Sequence, residues 1–171
     1  GWLRLDLLAR LVLAAVLGGT IGLEREASGK PAGFRTNLLI CVGATLLTEI
    51  SIAISVTAGG RQMEADPGRI AAQIVSGIGF LGAGTIIQAR GNVVGLTTAA
   101  TLWVVAAIGM AVGARAYVEA VGTTVLVIIA LMLLGRVESH LIRRRSECSV
   151  HVAGDPEPAL VESVASILEE A

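Results

Sequence analysis

Four carboxylates have the type and placement to do chemistry in this chain: Glu24, Glu26, Glu49 and Asp66. Mg²⁺ prefers near-octahedral oxygen ligands and keeps several waters, so two or three carboxylates would suffice to hold it. Their positions argue against a single site. Glu24 and Glu26 close one apolar segment, whereas Glu49 and Asp66 lie toward the far side of the next, so the four could serve only as two ends of a path. Glu49 and Asp66 are the candidate metal ligands at that far end. Glu49 is also the one acid well inside an apolar segment, where a carboxylate costs a few kcal/mol unless paired, protonated or hydrated. That makes it a functional candidate, with an interfacial carboxylate as the plainer reading. Asp66 has a competing role, because Asp66-Pro67 suits the N-cap and first position of a following helix. The remaining intramembrane polar candidates are Gln73, Thr97 and Thr98, which either line a polar pore or hydrogen-bond between helices.

Other chemistries find little support. Gly77, Gly79 and Gly82 spell G-x-G-x-x-G, but they sit in a long apolar run, and no Asp or Glu follows until Glu119. A dinucleotide site would carry an acidic residue about 20 positions on. The two cysteines, Cys41 and Cys148, offer neither a disulfide framework nor metal-ligand spacing. His140 and His151 lie together near the carboxyl end. With no Ser/His/Asp set, no Walker loop and no paired catalytic carboxylates, neither an enzyme nor a nucleic-acid binder is expected, and no resident cofactor beyond Mg²⁺ is suggested.

The elements that must position these residues are hydrophobic. The chain of 171 residues is 54% hydrophobic with a mean hydropathy of +0.76, above the apolar share of a soluble domain. An all-α polytopic membrane protein is expected, its transmembrane domain (residues 1–136) having spans near 3–23, 36–57, 70–88, 95–113 and 118–134. No cleavable signal peptide is expected, since Arg4, Asp6 and Arg10 interrupt the first segment; Asp6 and Arg10 have the i, i+4 spacing of a helical pair. The third and fourth segments form a hairpin around a polar turn at residues 89–92, and the others are placed around that pair. Small residues mark packing faces: Gly18 with Gly22, Gly109 with Gly113, and the run Gly77, Gly79, Gly82 and Gly84. Self-association as a homodimer is expected through such faces.

Between the first two segments, Glu24, Arg25, Glu26, Lys30, Arg35 and Asn37 form a polar cluster at one membrane face, expected to clamp the two helices by buried ion pairs. Basic residues are in excess on the side holding this loop, Arg90, Arg136 and Arg143 to Arg145, which places that side in the cytoplasm and the amino terminus outside. Residues 137–146 read as a basic linker. From Glu147, an alternating strand pattern, a turn and a helical pattern through Ala171 read as part of an α+β unit. A lone strand and helix bury too little surface to stand alone, so truncation or completion by another chain is expected.

RIAAQIVSGIGFLGAG at residues 69–84, followed by GLTTAATLWVVAAIG at 95–109, resembles the pattern of the MgtC/SapB family of bacterial membrane proteins. GLERE at 22–26 and KPAGFRTN at 30–37 resemble its second characteristic block. The resemblance implies a location in the bacterial inner membrane. It implies that residues 147–171 begin a cytoplasmic ACT-like (ferredoxin-like) domain. It further implies a link to magnesium homeostasis, adaptation to low magnesium and virulence through survival inside host phagocytes, with the membrane ATP synthase as a partner. Two functions follow as expectations: regulation of a membrane partner by helix packing, or transport of Mg²⁺ or another cation or solute.

Overall fold

Long apolar runs with few interior breakers produce long helices here. The computed structural model describes residues 2–58, 66, 68–89 and 92–142. Helix α1 spans Trp2–Ala27, α2 Phe34–Ala58, α3 Gly68–Thr85, α4 Leu96–Gly113 and α5 Tyr117–Ile142, with two short strands, β1 Ile87–Ala89 and β2 Asn92–Val94, between α3 and α4. All five expected segments are helical. By length and composition, Leu5–Ala27, Phe34–Ser55 and Leu96–Gly113 are apolar enough to cross a membrane, and Tyr117–Leu133 is a shorter apolar helix. Helix α3 is outside that group because Arg69, Gln73, Ser76 and its glycines dilute the isoleucines.

The third segment differs from the expectation of helix through Gln88. Helix α3 stops at Thr85, and residues 87–89 pair antiparallel with 92–94, Ile87 opposite Val94 and Ala89 opposite Asn92. Ile86, Ile87, Val93 and Val94 are β-branched, and their stiff χ1 favours extended backbone once the helix has ended. The exit depends on Gly95. Its φ is 97°, and a Cβ there would collide with the Thr85 carbonyl oxygen, so only glycine lets β2 turn into α4 so close to the end of α3.

Helices α2 and α4 together, rather than the α3–α4 hairpin, occupy the centre of the bundle, and α4 packs on two sides. On one side, Val105, Ile108 and Val112 pack with Ala14, Leu17 and Ile21 of α1, Cys41 of α2 and Ala120 of α5. On the other, Leu102 and Ala106 pack with Ala44 of α2 and Ile74 and Ile78 of α3. Helix α3 buries only Ile74, Ile78 and Gly82, a stripe one residue wide at i, i+4 spacing. Elsewhere large apolar side chains face outward, among them Leu8, Val12 and Val16 on α1, Leu39 and Ile54 on α2, and Val118, Val125 and Leu126 on α5. Lipid is the solvent that such a surface suits.

Close helix approach explains why α2 and α4 share the centre. A Cβ on Gly109 would strike the Cys41 carbonyl oxygen and come within 2.9 Å of the Ala44 Cβ; one on Gly113 would lie 2.7 Å from the Thr45 carbonyl oxygen. Thr45 Oγ1 bridges the gap, donating either to the Cys41 carbonyl at 2.9 Å in its own helix or to the Gly109 carbonyl at 2.8 Å across it. Residues 1–134 form one unit and residues 135–171 a second. Residues 143–171, with the expected strand and helix of the ACT-like domain and Arg143 to Arg145, lie outside the described residues.

Candidate functional site

Among the described residues, ion pairs form at both ends of the antiparallel pair α1 and α2. At the end where α1 begins, Arg10 is only 4% exposed. Its Nη1 donates to Glu49 Oε1 on α2, and its Nη2 to Asp6 Oδ2 at 2.6 Å, one helical turn earlier. Arg115, in the turn between α4 and α5 with a left-handed φ of 66°, places its Nη2 3.9 Å from the same Asp6 oxygen. Glu49 is therefore a partnered acid. Two carboxylates and two guanidiniums bring this cluster close to neutrality, which is how charge is tolerated at such depth.

Asp66 is not part of that cluster. Its Oδ1 accepts the Gly68 amide at 2.8 Å and its carbonyl the Arg69 amide at 3.3 Å, so it caps the start of α3. Among the described residues, no group of three or more His, Cys, Asp and Glu side chains is arranged to hold a metal ion. Glu49 and Asp66, paired as metal candidates by sequence, each have a separate partner.

At the opposite end, the ion pair stays within α1. Arg25 is buried, and its Nε and Nη2 reach Glu24 at 2.5 and 2.8 Å while the Ser28 hydroxyl donates to Glu24 Oε1. The joint between α1 and α2 is neutral on one side: the Phe34 amide donates to Glu26 Oε2 at 2.8 Å, capping α2. Asn37, fully buried, donates through Nδ2 to the Ala32 and Gly33 carbonyls at 2.5 and 2.9 Å. Arg35 is exposed and takes no part, so the clamp expected from ion pairs is made instead by a carboxylate cap and an amide. Glu26→Ala is expected to lower stability by about 1 kcal/mol and Arg35→Ala to stay within about 0.5 kcal/mol, read from thermal unfolding in detergent.

The glycines divide into two groups. Gly18 and Gly22 lie against α2, where a Cβ would come within 2.5 Å of the Cys41 Cβ and 2.7 Å of the Phe34 Cα, respectively. Gly82 faces Ala99, whereas Gly77, Gly79 and Gly84 face open space. Thr98 is buried; Gln73 and Thr97 are exposed.

Sequence reasoning paired Arg10 with Asp6 alone and passed over Thr45. The missed signal was depth. Arg10 lies shortly after the start of α1 and Glu49 shortly before the end of α2, and antiparallel neighbours bring those depths together.

The two characteristic blocks thus form the joint of α1 and α2 and the α3–α4 pair, and the model of the MgtC family matches residues 11–140. The chain belongs to the MgtC family. It is similar to YhiD of Escherichia coli K12, named there as a candidate magnesium transporter, at 40% identity covering 81% of this chain and 65% of YhiD. It is similar to Protein SapB of Bacillus subtilis strain 168 at 40% identity (75% of this chain, 56% of SapB). Protein MgtC of Salmonella typhimurium LT2 is 45% identical (72% of this chain, 50% of MgtC). The MgtC-family chain thus spans between half and 65% of the length of these relatives. Family membership and its apolar helices make it a membrane protein. No solved structure matches it.

Proposed function

We propose that this MgtC-family chain is a regulator that packs against membrane partners, the membrane ATP synthase among them, and so serves adaptation to low magnesium and survival inside host phagocytes. The observation that carries this reading is the pairing of Arg10 with Glu49. The acid a cation path would need is already neutralised by a buried guanidinium, and an entering Mg²⁺ would have to displace it. Lateral surface for partners is available on α3, where Gln73, Gly77, Phe80 and Gly84 share one face and Phe80 is 80% exposed. Homodimerisation through that face belongs to the same reading.

In this reading the chain lies in the bacterial inner membrane, as its family membership suggests, with residues 147–171 as the start of a cytoplasmic ACT-like domain; the excess of basic residues on the side of the first loop and the tail argues for an amino terminus outside. In sealed cells, a membrane-impermeant thiol reagent is expected to leave Cys148 of a Cys41→Ala variant unlabelled until the membrane is opened. Ready labelling would reverse the topology.

A second reading, transport of Mg²⁺, is favoured by the name of YhiD. Liposomes holding only the purified protein separate the two. The regulator reading expects Mg²⁺ uptake no faster than in empty liposomes, for the wild type and Glu49→Gln alike. Uptake that needs Glu49 would establish transport.

A further inference from the structure

We propose that Lys30 and Arg35 bind the headgroup of an anionic phospholipid, with Leu39 bordering its acyl chains. The apolar stretches of α1 and α2 end at Ala27 and begin at Phe34, so the residues joining them stand at the headgroup level of one membrane face. The acids of that joint are committed: Glu24 to Arg25 and Ser28, Glu26 to the Phe34 amide. The cations are bound less closely: Lys30 adds its charge to the Arg25 and Ser28 hydrogen bonds on the Glu24 carboxylate, but stays beyond ion-pair distance. Lys30 and Arg35 are both exposed, and neither side chain forms an ion pair or hydrogen bond among the described residues. Three cations, Arg25, Lys30 and Arg35, face two acids, Glu24 and Glu26; with Arg25 paired to Glu24, the exposed Lys30 and Arg35 outweigh the exposed Glu26 and leave the surface of the joint positive.

What lies beneath those cations identifies the partner. Arg35 and Leu39 are one helical turn apart on the same face of α2, and Leu39 is 67% exposed. Leu46 and Ile50 continue that exposed apolar face away from the joint, and Leu23 is exposed on α1. A cationic rim above an apolar wall complements a lipid with a negative headgroup and two acyl chains, whereas a soluble anion would use only the rim. This assignment does not depend on whether the protein regulates or transports.

Native mass spectrometry of the full chain, released from neutral detergent with phosphatidylglycerol or phosphatidylcholine of the same acyl chains, tests it. The wild type is expected to prefer phosphatidylglycerol. Lys30→Gln and Arg35→Gln should each weaken that binding about fivefold, and the double variant should treat both lipids alike. Arg115→Gln removes the same charge at the opposite end and should leave the preference intact. A preference surviving in the double variant, lost equally in Arg115→Gln, or abolished by excess inorganic phosphate would overturn the site. Both substituted residues are exposed, so a sharp unfolding transition in the double variant shows that the fold is retained.

Discussion

An Arg10→Leu variant is expected to lose about 3–5 kcal/mol of stability, the largest single effect in the molecule. The guanidinium is buried between carboxylates from two helices, and removing it leaves Glu49, itself only 17% exposed, without its partner. Asp6 is nearly half exposed and can hydrate, so most of the loss belongs to Glu49. Arg10→Leu/Glu49→Leu should recover most of the stability, because apolar replacement of a buried ion pair is often neutral or better. Glu49→Gln should be milder than Arg10→Leu, since the amide oxygen can still accept from Arg10. Unfolding midpoints for the four proteins in one detergent form the measurement. If Arg10→Leu unfolds with the wild type, Glu49 is a solvated acid and the argument against an ion path through it fails.

Gly109→Leu and Gly79→Leu should behave as opposites despite identical chemistry. At Gly109 the first added carbon meets the Cys41 carbonyl and the Ala44 Cβ, so α2 and α4 must separate. Separation would also break the Thr45 to Gly109 hydrogen bond, for a combined loss of about 3 kcal/mol or more. At Gly79 a Cβ meets nothing within 4 Å, and stability should change by less than about 0.5 kcal/mol. The homodimer proposed through the Gln73, Gly77, Phe80 and Gly84 face of α3 adds a further expectation: Gly77→Leu, where an added Cβ also meets nothing within 4 Å, should shift the detergent-corrected mass from dimer to monomer while the melting transition stays in place. An unchanged mass would remove α3 as the self-association face. A stable Gly109→Leu would mean that the α2–α4 contact is looser than its geometry implies.

Hydropathy and the two family blocks were enough to read five helical segments, the family and the polar residues worth watching, because length and apolar content are local properties of a chain. Local chemistry likewise sufficed for the Asp66 cap. Sequence could not decide which neighbours those residues meet. Two glycine patterns of the same composition diverged: Gly109 and Gly113 close a core contact, while Gly77, Gly79 and Gly84 face outward, because which helix lies opposite is set by the packing of the whole bundle. Glu49 read as a lone intramembrane acid until α1 was laid antiparallel beside α2 and Arg10 arrived at its depth. Arg35 read as half of a clamp, yet the joint is made by the Glu26 carboxylate on a backbone amide, a partner that side-chain patterns do not display. Segments are written in the order of the residues; partnership depends on distances between helices, and those exist only after the helices have packed.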